Sequence, residues 1–329
     1  MKIALAGFPR CGRSTLFHAL AGSSRADTAK PLTVKVPDPR VDFLTGHWHP
    51  KSVVNATVSF TDLPSPAFGV RGMALLREAS AVVLVLDNHS AGKLEESLRN
   101  AETELILGDL AILEKRRDRL RKESKSGSRE FVLIDRALTL LSEEVPLRKA
   151  GFSRHEQAEL SPYSPASLKP LMVVSNRSGQ GIEDESGAMK AAEEAGAAFL
   201  TIDAGLELEL CELPEGERSE FLLDMGYSES GLSRIIRSAY SLLDLVSFLT
   251  MGPDEVRAWP IPAGSTALEA AGTIHSDLAR GFIRAQVIPY AVFRETPDEA
   301  ALKKKGAVGL EGKDYVVKDG DILEIRFSV

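Results

Sequence analysis

The residues Gly7-Phe8-Pro9-Arg10-Cys11-Gly12-Arg13-Ser14 follow the apolar run Ile3–Ala6 and open a predicted helix that extends to Ala21. Two glycines and a hydroxyl residue match the pattern G-x-x-x-x-G-K-S/T, with Arg13 where lysine is usual. Between a strand and a helix, such a loop turns backbone N–H groups toward a phosphate at the helix N-terminus. The stretch therefore predicts an α/β domain whose residues 7–15, including Thr15, form a phosphate site. The alternative is an ordinary strand-to-helix turn.

The replacement of lysine by Arg13 affects both phosphate binding and catalysis by this loop. In the usual loop the lysine reaches the β- and γ-phosphates, and the serine hydroxyl holds Mg²⁺. Ser14 can fill the metal role, whereas the guanidinium of Arg13 keeps the charge but is planar and bulkier than an ammonium. We expect binding to tolerate this exchange better than catalysis, with Arg10 and Arg13 as candidate charge stabilisers.

Two further residues occupy positions expected in a nucleotide site. Asp62 follows the strand candidate Ala56–Phe60 and could assist Mg²⁺, although Asp62-Leu63-Pro64-Ser65 lacks the glycine that senses a γ-phosphate. Asn176 and Arg177 follow the strand candidate Leu171–Val174 and could contact the base. Their run ends in Gly179, without the acid that reads guanine, so ATP and GTP both stay open.

Apolar runs of strand length alternate with helical stretches, which indicates a mostly parallel sheet. The runs are Ile3–Ala6, Ala56–Phe60, Ala81–Leu86, Leu171–Val174 and Ala197–Ile202. Between the third and the fourth run, two heptad stripes predict an antiparallel helical hairpin. The stripes are Ile106, Leu110, Leu113 and Leu120, then Ile134, Leu138, Leu141 and Val145. Beyond Val246, short strand candidates predict a small α+β domain; they are Val256–Ile261, Phe282–Ile288, Tyr315–Val317 and Ile322–Phe327.

The composition of the chain limits which classes of partner, such as nucleic acids or membranes, it is expected to bind. The net charge of −7 provides no overall basic field for nucleic acid. Residues 114–129 nevertheless contain eight Lys and Arg against three acids, so Arg116, Arg117, Arg119 and Arg121 are candidate phosphate contacts. The alternative is a solvated helix face. No apolar stretch reaches membrane-spanning length, and only two cysteines are present, so we expect a cytoplasmic protein without a membrane partner.

Two smaller patterns have simple interpretations. We interpret His47-Trp48-His49 as a loop packed on Trp48 rather than a metal site. Cys11 lies near a helix N-terminus, which can lower a thiol pKa, and apolar packing is the alternative.

From end to end the sequence resembles the YchF / Obg-like ATPase family. The motifs that carry the resemblance include Thr15-Leu16-Phe17, Val36-Pro37-Asp38-Pro39-Arg40, Glu104–Leu110, Glu229-Ser230-Gly231-Leu232, Gly252–Trp259, Ala271–Asp277 and Leu310–Val317. The resemblance implies a G-domain (1–103 and 168–245), a helical hairpin (104–167) and a C-terminal β-grasp TGS domain (246–329). It also implies a preference for ATP over GTP and association with ribosomes or RNA. From the loop itself we expect Mg²⁺ as cofactor, and we expect no sequence-specific DNA binding.

Against the family pattern, the departures lie at the nucleotide site. Arg10 replaces an asparagine, Arg13 the lysine, Ser65 the sensor glycine, Leu75 a histidine used for hydrolysis, and Gly179 the base-reading acid. The guanidinium of Arg10 could stand where that asparagine helps hold a monovalent cation, and an exposed Arg paired with a carboxylate is the alternative. Two hypotheses therefore remain. One is a nucleotide-binding protein with slow hydrolysis at most, and the other is a non-enzymatic adaptor that binds the translation machinery through the TGS domain and the basic hairpin.

Overall fold

The computed structural model describes residues 1–88, 94–177 and 185–328. The strands are β1 (Lys2–Ala6), β2 (Leu32–Lys35), β3 (Ser52–Val54), β4 (Thr57–Asp62), β5 (Ala81–Asp87), β6 (Leu171–Asn176), β7 (Ala198–Ile202), β8 (Leu245–Thr250), β9 (Glu255–Pro262), β10 (Phe282–Pro289), β11 (Gly309–Glu311) and β12 (Asp321–Phe327).

The helices are α1 (Arg13–Ala21), α2 (Pro39–Trp48), α3 (Val70–Glu78), α4 (Leu94–Lys122), α5 (Arg129–Ser142), α6 (Arg154–Leu160), α7 (Ser186–Glu194), α8 (Ala204–Glu212), α9 (Glu215–Asp224), α10 (Gly231–Ser241), α11 (Ala267–Ile274), α12 (Ser276–Arg280), α13 (Tyr290–Glu295) and α14 (Glu299–Lys304). Two compact units form, one from residues 1–34 and 59–242 and the other from residues 35–58 and 243–329.

The first unit is built on a sheet with the strand order β2-β4-β1-β5-β6-β7. The pairs β1–β4, β1–β5, β5–β6 and β6–β7 are parallel, which confirms the parallel sheet predicted from the apolar runs. Six successive residues of β5, Ala81–Leu86, are buried, as expected for a strand covered on both faces. Because the strands are parallel, the loop after β1, Asp62 at the end of β4 and Asn176 at the end of β6 share the carboxyl edge of the sheet.

Between β5 and β6 the chain forms the long helices α4 and α5, which pack on each other. Their apolar cluster contains Ile106, Leu113, Leu120, Ile134, Leu138 and Leu141, with Leu110 partly buried against it. Two details differ from the sequence pattern. Helix α4 begins at Leu94, well before Glu104, and Val145 lies beyond the end of α5 at Ser142.

A buried carboxylate fixes the return of the chain from these helices to the sheet. Asp109 of α4 is 1% exposed, and its two oxygens accept hydrogen bonds from the backbone N–H groups of Ala166 (2.7 Å) and Ser167 (2.8 Å). These bonds satisfy two backbone donors that burial would otherwise leave unpaired.

The second unit has a sheet with the order β11-β10-β12-β8-β9-β3. Strands β8 and β9 are antiparallel, β12 lies parallel to β8 and antiparallel to β10, and β3 adds a parallel edge to β9. Helix α11 contributes Ala267 and Ala270 to a core that also contains Phe248, Ile261 and Val287.

Two predictions about this unit were wrong. Tyr315–Val317 is not a strand: among the residues that the structure describes, it forms one isolated bridge, between Val316 and Thr266. His47 and Trp48 end helix α2 instead of lying in a loop, and the His47 ring stands edge-on to the rings of Trp48 and Phe293, with centroids 5.5 Å apart in each case. Within residues 1–88, 94–177 and 185–328, no helix combines the length and apolar character needed to cross a membrane.

Candidate phosphate-binding site

The loop from Gly7 to Gly12 joins β1 to α1 and depends on both glycines. A Cβ atom on Gly7 would lie 2.5 Å from the carbonyl oxygen of Val85, closer than real Cβ contacts allow. Gly12 immediately precedes α1 with φ +84°, the left-handed region that favours glycine. Both glycines of the predicted loop therefore lie where a side chain would clash or where the backbone favours glycine.

Asn176 braces this loop from β6. Its side chain is buried, its Nδ2 donates to the carbonyl oxygen of Cys11 (3.0 Å), and its Oδ1 accepts from the N–H of Ala204 (3.0 Å). The amide therefore joins the loop to the start of α8. The neighbouring Arg177 donates its backbone N–H to Ile202 (2.8 Å). Gly179, where the base-reading acid is missing, lies outside the described residues.

Arg13, Asp62 and Ser14 form a closed group, which we call the Arg13–Asp62–Ser14 cluster. The Nε of Arg13 donates to Oδ1 of Asp62, and the Oγ of Ser14 donates to Oδ2 of the same carboxylate (2.8 Å). A third contact joins Nη1 of Arg13 to the carbonyl oxygen of Gly7 (3.4 Å). Arg13 is 9% exposed and Asp62 8% exposed, so this ion pair is largely removed from water.

The cluster affects whether Mg²⁺ can bind at the predicted site. A hydroxyl and a carboxylate are the hard oxygen ligands that Mg²⁺ takes, so the residue types of Ser14 and Asp62 fit. The arrangement does not fit, because the positively charged guanidinium of Arg13 already pairs with the Asp62 carboxylate and would repel a divalent cation there. A cation would have to compete with the guanidinium for Asp62.

Beside the cluster lies a cavity of about 590 Å³. Asp62, Ser65, Arg71 and Leu75 line it, so the two positions at which the resemblance implies a sensor glycine and a histidine, Ser65 and Leu75, face the same space as the cluster. Leu75 offers this cavity no group that could accept or donate a proton.

The remaining loop residues differ sharply in burial. Cys11 is 3% exposed, and burial raises the pKa of its thiol, outweighing the opposite effect of nearby Arg13 and backbone N–H groups. The lowered pKa considered for Cys11 is therefore wrong. Arg10 is exposed with φ +71°, and it makes no ion pair within the described part of the chain. Phe8 packs against Phe68, with ring centroids 5.2 Å apart, while Pro9 lines a smaller cavity of about 270 Å³ with Phe8.

The candidate nucleic-acid arginines on α4 are not equivalent. Arg116 forms a two-point ion pair with Glu130 of α5 (2.7 and 3.0 Å) and also donates to the Tyr163 hydroxyl (3.2 Å). Arg117 pairs with Asp135 of α5 (3.4 Å). Arg119 is exposed and forms no ion pair among the described residues, while Arg121 is exposed and lies 3.7 Å from Asp118.

Sequence comparison decides the family. Over an alignment of 360 positions the chain is 37% identical to the ribosome-binding ATPase YchF of Pasteurella multocida, covering 100% of this chain and 99% of that one. The chain belongs to the YchF family. The ribosome-binding ATPase YchF of Bacillus subtilis is 34% identical, with coverage of 99% and 98%.

Two further comparisons agree with this YchF membership. Residues 245–328 match the family model YchF-GTPase_C, described as a protein of unknown function (DUF933). The structure of the Schizosaccharomyces pombe YchF GTPase superposes with a TM-score of 0.89 at 26% identity, covering 99% of this chain and 97% of that one.

A buried glutamate near the site escaped sequence reasoning. Glu207 of α8 is 7% exposed, and its Oε1 accepts from the N–H of Gly231 (2.5 Å), the first residue of α10. A Cβ on Gly231 would lie 2.7 Å from that oxygen. The motif Glu229-Ser230-Gly231-Leu232 marked one half of this contact, but nothing in the sequence pointed to its partner.

Proposed function

We propose that this chain is a YchF-type nucleotide-binding protein that takes ATP or GTP in the loop of residues 7–15, hydrolyses it slowly at most, and associates with ribosomes or RNA. The observation that carries the proposal is the loop itself. Two obligatory glycines hold the backbone in a tight turn at the N-terminus of α1, where N–H groups and the helix dipole favour a phosphate.

Base contact belongs to the same proposal. Asn176 ends β6 and Arg177 follows it, at the carboxyl edge of the sheet, where ligands of open α/β sheets bind. Among the described residues each polar atom of the Asn176 amide makes one hydrogen bond, so one N–H and one acceptor position would be available for a base. Mg²⁺ would bind through Ser14 and Asp62 only in competition with Arg13 for the carboxylate.

Ribosome association is inferred from the relatives, whose names state that they bind ribosomes. We propose residues 246–329 as a TGS domain of β-grasp type. The antiparallel β8–β9 pair, the helix α11 and the central parallel pair of β8 and β12 support that proposal. The proposed helical hairpin, residues 104–167, would offer Arg119 and Arg121 to phosphate groups.

A second candidate is the non-enzymatic adaptor. Ser65 and Leu75 stand where the family resemblance places a sensor glycine and a histidine used for hydrolysis, and both face the cavity beside Asp62. On this alternative the site is regulatory or vestigial, and ribosome contact is the whole function.

One titration separates these candidates. Labelled ATP and GTP are titrated onto the full chain with and without Mg²⁺, phosphate release is followed, and ribosome cosedimentation is measured on the same preparation. Failure to bind either nucleotide at millimolar concentration would remove the first proposal. Turnover that disappears in Arg13→Ala would remove the adaptor.

A further inference from the structure

The Arg13–Asp62–Ser14 cluster places a fixed positive charge where a metal-dependent loop keeps an open carboxylate. Side-chain exposure is 10% for Arg13 and 4% for Asp62. Removing one member of such a desolvated pair leaves the other charge buried without its partner, which is strongly unfavourable. Separating Arg13 from Asp62 within this site is therefore costly.

The hydrogen bonds of the guanidinium show what it can still do. Of its five N–H donors, Nε serves Asp62 and one on Nη1 serves the carbonyl oxygen of Gly7. The other three donors make no hydrogen bond within the described part of the chain, and they lie beside the backbone of the phosphate loop. An ammonium has three donors at a single point and could not span the Asp62 carboxylate, the Gly7 carbonyl and a phosphate with such a planar fork.

We propose that the guanidinium of Arg13 replaces the divalent cation at Asp62, so that this loop binds a nucleoside di- or triphosphate without metal. The inference rests on the proposed nucleotide binding and specifies its cation requirement. The carboxylate that would orient a hydrated Mg²⁺ instead orients Arg13, and Arg13 supplies the neighbouring positive charge.

Charge balance supports the same conclusion. The Arg13–Asp62 pair is neutral, so the loop carries less positive charge than one with a lysine and Mg²⁺. Phosphate would then be held mainly by backbone N–H groups, by the free donors of Arg13 and by the exposed Arg10. We expect modest affinity that depends little on divalent cations.

The test measures nucleotide affinity rather than turnover. A fluorescent ATP analogue and the matching GTP analogue are titrated onto the full-length protein in excess Mg²⁺ and in excess EDTA. The variant Arg13→Lys is titrated in both buffers. Arg71→Lys is the matched control, because Arg71 lines the same cavity and, within the described part of the chain, forms no ion pair with Asp62. Thermal unfolding checks that each variant is folded.

Wild-type protein and Arg71→Lys should have dissociation constants that agree within about threefold between the two buffers. In Arg13→Lys, an ammonium that reaches the phosphates leaves Asp62 open, and Mg²⁺ should tighten binding by about tenfold or more. Wild-type binding that weakens tenfold or more in EDTA would overturn the inference while leaving the proposed function in place. Absence of binding in both buffers would remove both.

A second measurement keeps the inference testable if Arg13→Lys does not fold. Mn²⁺ binding to nucleotide-free wild-type protein is followed by its electron paramagnetic resonance signal. The proposal predicts that the wild-type protein has no Mn²⁺ site that depends on Asp62. A stoichiometric wild-type site that Asp62→Asn abolishes would overturn it.

Discussion

A methyl group on Gly12 would lie 1.9 Å from Nδ2 of Asn176, so the loop and the strand β6 fit together only because position 12 has no side chain. The same amide donates to the carbonyl oxygen of the preceding residue, Cys11. The phosphate loop is thus shaped from two sides, by its own backbone and by an amide far along the chain.

Gly12→Ala should destabilise the protein and abolish nucleotide binding. A left-handed conformation costs an L-residue roughly 1–2 kcal/mol, and the overlap with Asn176 should add about 1–3 kcal/mol to the loss in free energy of unfolding. Gly22→Ala is the matched control, since Gly22 also has a positive φ but open space around it. Equal losses in urea unfolding for the two variants would contradict the steric argument.

The exposed arginines of α4 should govern ribosome or RNA binding. With Arg119 and Arg121 both changed to Glu, we expect weaker binding, and the slope of log affinity against log salt should fall by about one for each phosphate that is no longer neutralised. Arg116→Glu should instead lower the melting temperature, because Arg116 holds Glu130 and Tyr163. Unchanged binding and salt slope in the double variant would show that the basic face is merely solvated.

Glu207 should make stability depend on pH. Burial raises the pKa of Glu207 above its ordinary value, against the lowering effect of the N–H groups of Gly231 and Leu232. The folded protein then takes up this proton first as pH falls, so its contribution to stability is fully present below the ordinary pKa of about 4.3 and is lost as pH rises through the raised value.

Urea unfolding of wild type and Glu207→Gln at several pH values checks this sign. The free energy of unfolding of the wild type, relative to the variant, should be higher near pH 4 than at pH 7, by about 1.4 kcal/mol for each unit by which the pKa is raised. Glu209→Gln is the control for removing a carboxylate from α8, because Glu209 is exposed on the same helix. A difference independent of pH would refute the prediction.

Cys11 should be an unreactive thiol. Burial raises the pKa of Cys11 and also that of Cys211, so little thiolate forms near pH 8. A chromogenic disulfide reagent should label the native protein slowly and both cysteines at once in urea. Rapid labelling of Cys11 in native protein would show that the loop opens readily.

Arg10 should make any nucleotide binding or turnover insensitive to K⁺. Its guanidinium is exposed on the loop without an ion pair in the described ranges, free to act as a resident monovalent charge. Arg10→Asn should acquire a dependence on K⁺ that the wild type lacks. Equal K⁺ dependence in titrations of the two proteins would exclude this role.

The local residue pattern was sufficient to predict a strand where both faces of that strand are covered. β1, β5 and β6 read as continuous apolar runs because every side chain of such a strand meets a packed layer. β2 has only four residues and alternates in burial at the sheet edge, so it left no such signal. Tyr315–Val317 has strand-like residue types yet forms one bridge, because type alone does not supply a neighbouring strand.

In the candidate site, too, some features could be predicted from the sequence and others could not. The glycines and Ser14 were visible in the sequence because the motif is contiguous. The engagement of Arg13 with Asp62 was not, since the two residues are 49 positions apart and either could have paired elsewhere. Asp109 and Glu207 were missed for a related reason: a buried carboxylate is recognisable only once the backbone donors that surround it are known.

The second compact unit draws residues 35–58 from near the start of the chain and residues 243–329 from its end. During synthesis, α2 and β3 leave the ribosome early, but β9, the strand with which β3 pairs, is translated only after all residues of the first unit. Domains generally fold as units while the chain is made. The second unit can therefore complete its sheet only after its C-terminal residues have been synthesised. A protein truncated before β9 would have a β3 strand without its partner strand.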